Sequence, residues 1–411
     1  MQRRDFLMRS AAAAGLSVLP LGARGWAASN PNGTGQRFVV VLLRGAVDGL
    51  NVVVPYAEPA YYDARPSIAI PHPGQPEGAL DLDGRFGLHP ALAPILPLWR
   101  ERSLAFIHAA GSPDPTRSHF DAQDYMESGT PGRKSTPDGW MNRLLAQLPG
   151  AHATNSAVAF GPTLPRIFKG RLSVANVPIG RGANKPMPID RPVINAAFDR
   201  LYAGDDALSL AYKDGVRSRV KLMADLQDDM KEADNGAPSP LGFATDTQHL
   251  AALVMKDPSV QLAFFDLGGW DTHVNQGSSQ GQLANHLKPL AEGLAGLAKA
   301  LGPAYRDTVI VVMSEFGRTV RENGNRGTDH GHGNLLWVLG GPVKGGRVYG
   351  VWPGLAEGAL YQGRDLAITT DFRSALGTVL QRHLRLDKRA LEMVFSDAPA
   401  TPAAVSGIVG V

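Results

Sequence analysis

Three histidines and four carboxylates stand in glycine-bearing loops that follow or precede short apolar runs. Asp48 lies in Arg44–Asn51 (RGAVDGLN), Asp271 and His273 in 268–273 (GGWDTH), Glu315 in 314–319 (SEFGRT), and Asp329, His330 and His332 in 327–334 (GTDHGHGN). Imidazole nitrogens and carboxylate oxygens suit a divalent metal, Zn²⁺ or Mn²⁺, and this many ligands suffice for one or two ions. The glycines are expected to let Asp329, His330 and His332 turn toward one centre. A further loop carries Ser118 and His119 in 117–125 (RSHFDAQDY), a hydroxyl that a metal would activate as a nucleophile and an imidazole that would protonate a leaving group. Arg44, Arg117 and Arg318 each adjoin a motif, and a guanidinium holds the oxygens of a tetrahedral anion bidentately. Arg318 is assigned to catalysis beside Ser118 and His119, and Arg44, Arg117 and Asn51 to substrate binding.

Every one of these residues has a plainer reading. Asp48 could cap a turn, Asp271 or Ser118 could cap a helix, His119 could do the same, and Glu315 could pair with Arg318. Their joint occurrence is what argues for chemistry.

Apolar β-branched runs predict strands at 37–43, 104–109, 157–160, 260–267, 308–313 and 335–339. Helical spacing predicts helices at 119–128, 139–147, 205–231, 245–255 and 279–301, the last with Leu283, Leu287, Leu290, Leu294 and Leu297 on one face. This alternation specifies an α/β fold, a layered sandwich with a central, mostly parallel sheet flanked by helices. Residues 165–240 read as a helical insertion into a single domain spanning 36–400. In open α/β sheets ligands bind beyond the carboxyl ends of the strands, so loops far apart in sequence converge on one crevice.

Lys and Arg number 41 against 38 Asp and Glu in a chain of 411 residues, and the whole excess lies in the first 28. The electrically balanced remainder offers no footprint for nucleic acid. The absence of cysteine excludes disulfides, thiolate metal sites and iron–sulfur clusters. Residues 1–28 read as a signal peptide, with an apolar run from Ala11 to Leu21 too short to span a bilayer and a spacer at 29–35. Arg3-Arg4-Asp5-Phe6-Leu7 is similar to the twin-arginine export motif. The expected partner is therefore the twin-arginine translocase, and the expected location periplasmic or secreted.

Taken in order, the motifs at 42–51, 117–125, 268–277, 314–319 and 327–334 resemble a family of exported bacterial proteins, the "domain of unknown function 1501" family, within the alkaline-phosphatase-like, sulfatase-related superfamily. The resemblance covers roughly residues 36 to 385. It implies an alkaline-phosphatase-like fold and a metal-dependent hydrolase of phosphate or sulfate esters, with one or two divalent ions and a Ser or Thr nucleophile. Asp48 resembles the metal ligand after the first strand, Ser118 the nucleophile, and Asp271 and His273 the next metal pair. Glu315 and Phe316 stand where the superfamily has an Asp-His pair, which here follows later as Asp329-His330. Two expectations result: a metal-dependent ester hydrolase, or a non-catalytic metal-binding scaffold of the cell envelope that keeps the fold.

Overall fold

A computed structural model describes residues 35–149, 156–179 and 236–410, with isolated positions between 200 and 234. The signal segment 1–28, all of the spacer except Gly35, and the helix 205–231, except Asp206 and Ser209, lie outside the described residues.

Twelve strands are described: β1 (Arg37–Leu43), β2 (Val53–Val54), β3 (Leu80–Asp81), β4 (Gly87–Leu88), β5 (Leu104–Gly111), β6 (Ala157–Phe160), β7 (Ala175–Val177), β8 (Leu262–Leu267), β9 (Thr308–Ser314), β10 (Asn334–Gly340), β11 (Arg347–Tyr349) and β12 (Thr370–Asp371). The main sheet runs β11-β5-β10-β9-β1-β8-β6-β7, with β12 beside β5, while β2, β4 and β3 form a small separate sheet. Every pairing in the main sheet is parallel except those of β10, which runs antiparallel to both β9 and β5. The expected mostly parallel sheet is present.

Beyond Arg37, β1 is apolar because it is covered on both faces. Phe38, Val40 and Leu42 enter one core, with α2 (Trp140–Leu145) and α5 (Phe372–His383). Val39, Val41 and Leu43 enter the other, against α3 (Phe243–Lys256) and α4 (Gln282–Leu301). All five leucines expected on one face of α4 are buried there. Each such side chain contributes roughly 1.5–3 kcal/mol when removed from water, which makes the sheet a rigid base for the loops at its edge.

Strand direction decides which loops meet. The carboxyl ends of β1, β5, β8 and β9 lie at one edge, and because β10 is antiparallel its amino end, with the 327–333 loop before it, lies there too. In the region expected to be a helical insertion, the described part contains a 3-10 turn at Arg166–Phe168 and the edge strand β7. Its sequence, Ala-Asn-Val, is too short and too polar to stand out as a strand.

Candidate metal centre

The loop after β5 ends at Ser118, whose extended backbone and side-chain oxygen, accepting from the Asp121 N–H, start α1 (His119–Ser128). The first residue of α1, His119, reaches back over the sheet edge. Its Nδ1 lies 2.8 Å from a carboxylate oxygen of Glu315, and its Nε2 lies 2.9 Å from Nε2 of His330. The Nε2 of His330 is also 2.9 Å from Nε2 of His273, while its Nδ1 lies 2.7 Å from the Arg117 carbonyl. His273 in turn places Nδ1 3.2 Å from Asp329 and Nε2 3.0 Å from a carboxylate oxygen of Asp271. That same Asp271 oxygen is 3.7 Å from His119 and 3.6 Å from His330.

The pattern is consistent across the three rings. Each Nδ1 faces an oxygen that can only accept, so it carries the proton, and each Nε2 turns a lone pair inward. Lone pairs facing one another at this separation repel unless a cation lies among them. His119, Asp271 and His330 bring one ligand atom each within 4.8 Å of one another, with His273 alongside. This donor set of imidazole nitrogens and a carboxylate, with carboxylates behind two of the rings, fits a divalent ion.

The electrostatics agree. Burial pulls the His119 imidazole down, but Asp271 and Glu315 overcome it and push it up to about 9. Asp271 is held well below the usual carboxylate range: burial opposes this, while His119, His330 and Arg318 outweigh it. Burial would raise Glu315 too, yet His119 and Gln123 bring it down to about 2. Phe316 packs against the rings of His119 and His330, with centroids 4.9 and 5.1 Å apart, and is almost fully buried. It forms an apolar wall for the two ligands.

Glu315 and Asp329 are not among the converging ligand atoms; they orient His119 and His273 from behind. His119, assigned to catalysis, joins the ligand cluster. Asp48 is fully buried in an ion pair with Arg65, at 2.5 Å. His332 stacks on Tyr361, with centroids 4.2 Å apart, and burial lowers its pKa.

The arginines are engaged with groups of the protein itself. Arg44 is buried and bonded to Asp266, Glu127 and Gln123. Arg117 pairs with Asp365 at 2.6 Å. Arg318, fully buried, donates to the carbonyls of Gly45, Ala46, Trp270 and Thr328 and to Asp271, so it clamps three loops and fixes the Asp271 carboxylate. Asn51 is buried against Tyr61, Arg65 and Ile68. The plainer reading of Glu315, a pair with Arg318, does not hold, since Arg318 pairs with Asp271. These fates follow from tertiary neighbours that no local pattern announces.

The glycines act mainly by allowing close approach. Gly45, at φ +109°, passes so near the next loop that a Cβ would sit 2.6 Å from the Asp271 backbone nitrogen, and a Cβ on Gly331 would strike the Arg318 backbone. Two polar residues that the motifs did not single out complete the edge, Arg65 and Gln276. Gln276 lies within the 268–277 motif; nothing local distinguishes Arg65.

Among solved structures, the chain is similar to the C-terminal periplasmic domain of EcEptC from Escherichia coli in complex with Zn, at 13% identity over 74% of this chain and 72% of that one, TM-score 0.36. It is similar to the lipoteichoic acid synthase LtaP from Listeria monocytogenes, at 8% identity over 91% and 76%, TM-score 0.35. It is also similar to a 2-O GAG sulfatase, at 12% identity over 90% and 73%, TM-score 0.40. No curated protein matches the sequence. The family described as protein of unknown function (DUF1501) matches residues 99–395, most of the chain, and it is to this family that the protein belongs.

Proposed function

We propose that the protein is an exported, metal-dependent hydrolase of phosphate or sulfate esters, with a divalent ion, Zn²⁺ or Mn²⁺, held by His119, Asp271, His273 and His330. The observation that carries this reading is the convergence of three Nε2 atoms on one carboxylate, with each Nδ1 fixed by an acceptor. A bound ion would supply Lewis acidity, polarising an ester oxygen and lowering the pKa of a nearby hydroxyl. Glu315 and Asp329 hold the rings of His119 and His273 in orientation, Arg318 holds Asp271, and Phe316 shields one side. Ser118, exposed at the helix start next to His119, is the hydroxyl assigned to attack the ester phosphorus or sulfur. The arginine pair Arg3-Arg4 supports passage through the twin-arginine translocase to the periplasm or exterior, and among the described residues no helix is long and apolar enough to cross a membrane.

The test is elemental analysis of the purified protein beside His273→Ala and His330→Ala, followed by release of p-nitrophenol from its phosphate and sulfate esters. Metal that falls in both variants, together with ester turnover, is the expected result. Absence of metal after incubation with zinc and manganese would refute it.

One observation favours a second reading, a metal-binding scaffold without turnover. Arg44, Arg117 and Arg318, the groups expected to grip a tetrahedral anion, all have carboxylate partners within the protein. Metal without turnover of any phosphate or sulfate ester would select it.

A further inference from the structure

The Asp48 carboxylate lies in the loop after the first strand, at the position that resembles a metal ligand of the superfamily. It already has a cation. The Arg65 guanidinium approaches both carboxylate oxygens, at 2.5 and 3.1 Å, and its remaining donors go to Asn51 Oδ1 at 2.7 Å and to the carbonyls of Thr319 and Val320 at 2.9 and 2.8 Å. Five oxygens thus surround one buried guanidinium, with the Tyr61 ring 5.7 Å from its carbon. Oxygen ligands of this kind, a carboxylate, an amide and carbonyls, are those that hard divalent cations take.

The carboxylate is also tied to the metal-binding loops by an amide. Gln276 donates to Asp48 at 2.7 Å, and its side-chain carbonyl accepts the hydroxyls of Thr272 and Thr328 at 2.8 and 2.9 Å. Thr272 lies between Asp271 and His273, and Thr328 directly precedes Asp329-His330. All four residues of this chain, Arg65, Asp48, Gln276 and Thr272, are fully buried.

We infer that Arg65 is a built-in cation occupying the place of a second metal ion, so that the centre takes one divalent ion per chain and Asp48 positions its ligand loops through Gln276. The inference rests on the metal centre proposed above. A fixed guanidinium cannot be removed by a chelator, and it leaves Asp48 unable to exchange between ligation and pairing.

The experiment titrates Mn²⁺ into chelator-treated protein by calorimetry, with the metal per chain counted independently after gel filtration. The native protein is expected to bind one ion. Arg65→Ala, which empties the oxygen cage, is expected to bind a second, weaker ion, and Arg65→Lys to stay at one. Two ions in the native protein would overturn the inference while leaving the metal centre standing; so would a folded Arg65→Ala that still binds only one. No ion in the native protein would overturn the metal centre itself, and the inference with it. If Arg65→Ala does not fold, the native count alone decides.

Discussion

The Nε2 atoms of His119 and His330 face each other at 2.9 Å, while their Nδ1 atoms are committed to Glu315 and to the Arg117 carbonyl. Two imidazoles so arranged require a positive charge between them.

In the metal-free protein a proton fills that role. Burial works against it, but Asp271 and Glu315 push His119 up to about 9, so the ring is protonated at neutral pH. A divalent ion must displace that proton. Zinc titration at pH 7 is therefore expected to release about one proton per chain, read as different heats in two buffers of unlike ionisation enthalpy. Affinity should weaken steadily as the pH falls below 9. Identical heats in both buffers would contradict the arrangement.

Glu315 accepts from Gly45, Gln123, Ser314 and His119 and has no contact with solvent. Glu315→Gln is expected to lower zinc affinity by roughly 10–100-fold, the usual cost of losing a carboxylate behind a ligating histidine. Asp329, more than half exposed, performs the same task for His273 with less reach into the interior, and Asp329→Asn should cost less. Competition against a chromophoric chelator measures both; equal effects would show that burial of the supporting carboxylate is immaterial.

Ser118 caps its helix and is the proposed nucleophile, and one substitution tests both. As the helix N-cap its loss should cost about 1 kcal/mol of stability. As the nucleophile its loss should abolish ester turnover with metal content unchanged. If Ser118→Ala turns over esters like the native protein, the nucleophile lies elsewhere and only the capping cost remains.

Asp246, in the first turn of α3, offers a test of stability. Burial pushes its carboxyl up to about 7, whereas in the unfolded chain it ionises near 3.8. Between these values the folded state holds the extra proton, so this group's contribution to stability is greatest at low pH and declines as the pH rises toward 7. Asp246→Asn should therefore raise the melting temperature at pH 8, by at least about 3 °C, and change it little at pH 4. Thermal melts at the two pH values decide; a gain at pH 4 alone would reverse the sign.

The long apolar strands and the leucine-faced α4 were readable from sequence because burial on one or both faces leaves a periodic mark. So was the gathering of loops at one edge, since a parallel sheet sends the ends of its strands to the same side. The 327–333 loop was placed correctly only because β10 is antiparallel, a fact its own residues do not disclose. What eluded the sequence were the partners. Arg65 sits in an irregular, proline-flanked stretch, and nothing local marks it as the counter-ion of Asp48 or marks Arg44 as that of Glu127 and Asp266. Ion pairs between distant segments are decided by packing, so a charged residue beside a motif can be absorbed by the interior instead of facing a ligand.

Of the described strands β1 is made first, and it sits in the middle of the main sheet, where Phe38 is in register with Leu262 on one side and Val309 on the other. When this strand leaves the ribosome neither neighbour exists, and an unbroken apolar run with both edges unpaired is a template for aggregation until most of the chain has been synthesised. Pairing over such separations is slow. The nascent protein therefore has a long interval in which this strand needs shelter, and a binding factor that covers residues 37–43 during synthesis should raise the yield of folded protein more than one acting on the finished chain.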